Sequence, residues 1–82
     1  MLPMRTDDDY EVRLTERVRQ WESKHAADAE RVRIETRRKL GVLKAPPNGS
    51  LRWLVVERAF RDAVRDMMGW PTADQWIRGD AA

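Results

Sequence analysis

Glu22 and His25 form a Glu-x-x-His pair, a spacing that sets a carboxylate and an imidazole one helical turn apart on the same face. Helix bundles that hold paired metal ions use such pairs. They also need a second pair and further carboxylates in the same core. His25 is the only histidine of the chain. One chain therefore supplies a single pair, and only a symmetric dimer would double it. The expected role of His25 is that of a boundary residue beside Trp21, and no metal site is expected.

A second group of residues is suited to binding anions. Arg31, Arg33, Arg37, Arg38, Lys39 and Lys44 crowd one short stretch. Cations on more than one side of a helix can contact phosphates, with an affinity that falls as salt rises. The competing explanation is that cations belong at a helix C-terminus, where they complement the backbone dipole. Glu30 and Glu35 lie among them and dilute the field.

Other chemistry finds little footing. The chain has no cysteine, hence no thiolate nucleophile and no disulfide. Its four glycines are scattered, so there is no phosphate-cradling loop. Asp7, Asp8 and Asp9 lack the spacing of a calcium loop. No catalytic residue, cofactor or small-molecule substrate is expected, and the chain is not expected to be an enzyme.

These residues sit on a strongly helical pattern. Tyr10, Leu14, Val18, Trp21, His25, Ala29, Val32, Thr36, Leu40 and Leu43 step by three or four residues, close to the helical period of ~3.6. Thr6 and Asp9 suit the start of a helix, and Gly41 suits its end. The spacing predicts one helix over residues 7–40, with a length of about 50 Å at ~1.5 Å per residue. Pro46-Pro47-Asn48-Gly49 marks a loop over 41–50. Ser50 and Gly69 bracket a second helix over 51–68. Thr72 and Gln75 open a short third helix over 73–78. The predicted fold is all-α and forms one small domain. Its long N-terminal helix and shorter second helix make an antiparallel hairpin, and a short C-terminal helix follows.

Two helices of roughly 27 and 10 Å do not cover a helix of about 50 Å. On the strip of Tyr10, Leu14, Val18 and Trp21, the region around Tyr10, Leu14 and Val18 is then the part left uncovered, for Met1-Leu2-Pro3-Met4 or a second copy to cap. An exposed apolar strip is an association site by default. Those four residues, with Trp70 beyond the second helix stop, are the expected protein interface. The expected partner is a second copy, another protein, or both. Arg33, Arg37 and Arg38 would give polar specificity at the rim.

The net charge of +2 demands no anionic partner. The longest aliphatic run, Leu54-Val55-Val56, is far short of the ~20 residues that span a bilayer. A cytoplasmic protein with no membrane role is expected. Thirteen arginines against three lysines suggest GC-rich coding, as in an actinobacterium or its phage. The function that follows is a small protein-interaction module: an adaptor, inhibitor or assembly component. The alternative is a nucleic-acid-binding regulator that uses Arg31 to Lys44.

Overall fold

The long amphipathic segment is two helices, not one. The computed structural model describes residues 6–79 and is all-α. Its elements are α1 (Asp7–Lys24), α2 (Ala26–Lys39), α3 (Leu51–Met68) and α4 (Ala73–Arg78). Four helices replace the three expected, because the predicted helix over 7–40 breaks at His25.

The break is sharp. His25 takes φ −131° and ψ 52°, outside the helical region. Its N–H donates to the Trp21 carbonyl, and its carbonyl accepts from the Ala29 N–H, both at 2.9 Å. Among the described residues, no backbone bond runs from Ala26, Ala27 or Asp28 back to Glu22, Ser23 or Lys24. Nothing local demands this, since the region has no Gly or Pro and Ala26-Ala27 favours helix. Tertiary packing overrides the local preference: α3 packs against both α1 and α2, so one helix spans the junction.

The helix ends carry their own explanations. The Thr6 hydroxyl accepts from the Asp9 N–H at 3.2 Å, and Asp7, Asp8 and Asp9 fill the first turn, where negative charge suits the dipole. At the end of α2, Gly41 adopts a left-handed φ of 72°. The Gly41 N–H then reaches the Arg38 carbonyl at 3.1 Å, and the Val42 N–H reaches that of Arg37 at 2.8 Å. This double closure satisfies carbonyls that a helix end leaves open. The Ser50 and Thr72 side chains cap α3 and α4 in the same manner as Thr6 caps α1.

The core is built from Tyr10, Leu14, Val18 and Trp21 of α1, Ala29 of α2, and Phe60 and Val64 of α3. Val56 is buried as well, and Trp70, Ala73 and Trp76 pack against the cluster. This corrects the expectation that the Tyr10–Trp21 strip lacks cover. The Trp70-Pro71 turn sends α4 onto α1, so α4 does not simply extend the line of α3. Met1 to Met4, a candidate cover for that strip, lies outside the described residues. The whole measures 48 × 25 × 20 Å.

Candidate interaction surface

Arg33 ties three helices together. Its guanidinium donates to both Glu57 oxygens of α3, at 3.0 and 2.8 Å. It also donates to both Glu22 oxygens of α1, through Nη2 at 3.2 Å and through a closer Nη1 contact. It lies 4.1 Å from the centroid of the Phe60 ring. A planar fork of donors can serve two carboxylates at once, which a lysine cannot do. The Glu57 hydrogen bond, with help from Glu22 and against the cost of burial, pushes the Arg33 pKa above the ordinary arginine value. Arg33 is thus a structural tie, not a rim residue awaiting a partner.

A groove of about 600 Å³ lies between α1 and α3, and the Glu22–Arg33–Glu57 group lines it. Glu11, Arg58 and Arg61, which also line it, pair with one another within the chain. Glu11 pairs closely with Arg61 and more distantly, at 4.0 Å, with Arg58. On the same helix, a hydrogen bond from Arg65 to Asp66 raises the arginine pKa.

The α1–α4 seam is aromatic. The Tyr10 hydroxyl donates to the Pro71 carbonyl at 2.7 Å, and its ring lies 5.9 Å from that of Trp76. Arg17 sits 4.3 Å from the Trp70 ring, and Arg13 sits 5.7 Å from that of Trp76, both within cation–π range. Trp70 is half-buried under Arg17 instead of standing out as an anchor. The expected interface of Tyr10, Leu14, Val18, Trp21 and Trp70 is therefore brought together, but to build the chain's own core and its seam with α4.

The basic residues divide into two groups. Arg31 pairs with Asp28 at 3.4 Å and Arg38 with Glu35 at 3.3 Å, both exposed and weak pairs. Arg33 is spent as described. Among the described residues, Arg37, Lys39, Lys44 and Arg52 form no ion pair. These four lie on one stretch, from the last turn of α2 to the first turn of α3. No Asp or Glu occurs between Glu35 and Glu57.

The same stretch carries aliphatic side chains that the core does not use. Leu43 is 98% exposed and Leu51 82%, while Leu54 and Val55 are more than half exposed. Leu43 and Leu51 line one open depression together with Val42, Ala45, Pro46 and Pro47. Leu54 and Val55 follow Leu51 at helical spacing and continue the apolar face along α3. The basic cluster expected from the sequence leaves out Arg52, and Leu43 and Leu54 enter that expectation only within a helical stripe and an aliphatic run, not as one exposed group. The signal available for them was the acid-free interval between Glu35 and Glu57.

The Glu22–His25 pair does not assemble a metal site. Glu22 is engaged by Arg33, and His25 is exposed and stacked on Trp21 with ring centroids 5.7 Å apart. No group of three or more His, Cys, Asp or Glu able to hold a metal occurs among the described residues. No helix among them is long and apolar enough to cross a membrane. No protein-family model, curated protein or solved structure matches the chain.

Proposed function

We propose that the chain is a small, non-enzymatic protein-interaction module, an adaptor, inhibitor or assembly component. In this reading α1 and α2 form one kinked arm of an antiparallel hairpin and α3 forms the other. The observation that carries it is the exposed aliphatic group of Leu43, Leu51, Leu54 and Val55 beside a core already closed without them. Contiguous exposed apolar side chains rimmed by polar ones are the usual mark of a docking site. The partner is a different protein. The α1 strip that called for a second copy is covered by the chain itself.

The second reading is nucleic-acid binding. The acid-free interval favours it, as do Arg37, Lys39, Lys44 and Arg52, which form no ion pair among the described residues. It leaves the aliphatic group without a use, because phosphates gain nothing from leucine.

A photoreactive residue at position 43, with position 12 of α1 as an exposed control, separates the two in lysate of the encoding organism. The expected result is a discrete protein adduct from position 43 that the change L51S abolishes. Light scattering of the pure chain should show no complex with duplex DNA. A salt-sensitive DNA complex, with no protein adduct, would overturn the interaction module.

A further inference from the structure

From the chemistry of this surface we infer that its occupant is an acidic amphipathic segment of the partner, one bulky apolar side chain flanked by carboxylates. This rests on the interaction-module reading and specifies the partner for it.

Three observations converge. The first is charge. Arg37, Arg38, Lys39, Lys44 and Arg52 all fall between Glu35 and Glu57, with no acidic residue among them. That stretch alone carries more positive charge than the +2 of the whole chain, so the remainder is net negative. The excess of positive charge therefore falls on this stretch and not on the rest of the chain. A like-charged segment would be repelled there and an acidic one steered in.

The second is the lining of the depression formed by the loop and the start of α3. The half-buried Val42 and Pro46 lie deepest in it, the exposed Leu43, Ala45, Pro47 and Leu51 complete an apolar lining, and its only charged lining residues are Lys44 and Arg52. An apolar seat with cations beside it fits a hydrophobic side chain whose neighbours are carboxylates. Pro46 and Pro47 also limit the backbone freedom of the loop, so less ordering is required when an occupant arrives.

The third is shape, which selects among anionic partners. A duplex offers phosphates but no apolar group to enter the depression. A bilayer offers a flat surface, whereas here the exposed Leu43 and Leu51 stand at the edges of a depression that a single side chain can enter. A peptide segment alone brings both a side chain that enters and charges that stay outside.

The test uses three designed amphipathic peptides that share a leucine face and differ on the polar face, which is glutamate, glutamine or lysine. Binding of labelled peptide to the intact chain is followed by anisotropy at low and high salt. The glutamate peptide should bind, the glutamine peptide at least ten-fold more weakly, and the lysine peptide not at all. The paired change L43S and L51S should weaken the glutamate peptide ten-fold or more. The paired change K44Q and R52Q should weaken it and flatten its salt dependence. All four positions lie outside the core, so the thermal melt of each variant should match the parent.

Equal binding of the glutamate and lysine peptides would overturn the acidic occupant, as would binding indifferent to either pair of changes. Anionic vesicles or DNA that bind through the same residues, with no peptide binding, would move the surface to another class of partner. Self-association lost in K44Q and R52Q would make the occupant a second copy. An adduct from position 43 combined with indifference to the glutamate peptide defeats only the acidic occupant. Absence of any protein adduct defeats the interaction module itself.

Discussion

The guanidinium of Arg33 lies 4.1 Å from the centroid of the Phe60 ring while its donors reach Glu22 and Glu57. One residue of α2 thus covers a core aromatic of α3 and anchors carboxylates from both neighbouring helices. The Arg33 side chain is only 21% exposed, so solvent screens these contacts weakly. R33M keeps most of the packing but leaves two carboxylates facing each other, and it should cost about 2–3 kcal/mol. R31A and R38A remove exposed pairs and should cost less than about 0.5 kcal/mol each. Urea melts of the three variants check this; similar losses in all three would deny Arg33 its special place.

The same network sets a pH expectation. Its carboxylate partners raise the pKa of Arg33, so its contribution is present below the unfolded arginine value. That contribution would be lost only as pH rises through the still higher folded value. The midpoint difference between the parent and R33M should therefore stay constant from about pH 7 to about pH 9. Thermal melts across that range measure it directly.

Tyr10 spans the seam between α1 and α4 through its 2.7 Å hydrogen bond to the Pro71 carbonyl. Y10F keeps the ring, and with it the contact to Trp76, but removes the donor. The expected loss is about 1 kcal/mol, the usual value for one part-buried hydrogen bond. Hydrogen exchange should show the loss concentrated in α4, which adds only six residues to the helical content. Uniformly faster exchange along α1 and α3 would instead make the bond part of the global core.

Leu14 and Val18 show how a surface expectation turns over once cover is found. Both are buried in the chain's core. Changing the pair to glutamate places unpaired charges there, at a cost comparable with the whole stability of about 4–12 kcal/mol expected for a chain of this size. L14E/V18E should show no cooperative thermal transition. L43E/L51E should melt within about 0.5 kcal/mol of the parent, because those side chains contribute surface and not core. A folded L14E/V18E protein would restore α1 as an exposed strip.

Local signals in the sequence account for α3 and α4. Ser50 and Thr72 supply side-chain caps, Gly69 supplies the left-handed stop, and Val56, Phe60 and Val64 keep strict helical spacing. What the sequence hid was long-range. Arg33 is one arginine among many until Glu22 and Glu57, distant in the chain, are placed beside it. Cover for Tyr10 depended on the direction taken after Trp70-Pro71, which spacing alone does not encode. The apolar and basic end was legible in part, since Lys39 and Lys44 were singled out. Of its leucines, Leu43 fits the tail of the long stripe by spacing, while Leu51 and Leu54 belong to the second helix.

The break at His25 is the feature least visible locally, and it gives the sharpest test. Ala26 is the first residue of α2, and its N–H donates to no backbone oxygen of α1. Proline is tolerated at a first helical position, where no backbone donor is lost. Within a continuous helix it removes a hydrogen bond and clashes with the preceding turn, at about 3 kcal/mol or more. Proline also drives the residue before it from the helical region toward an extended ψ of about 120–160°; His25 at φ −131° and ψ 52° has left the helical region and needs a further turn of ψ alone. A26P should therefore cost less than about 1 kcal/mol, whereas V18P, in the middle of α1, should unfold the chain. If A26P were as damaging as a mid-helix proline, residues 7–39 would form one rod. The question of what covers Tyr10 through Trp21 would then be open again.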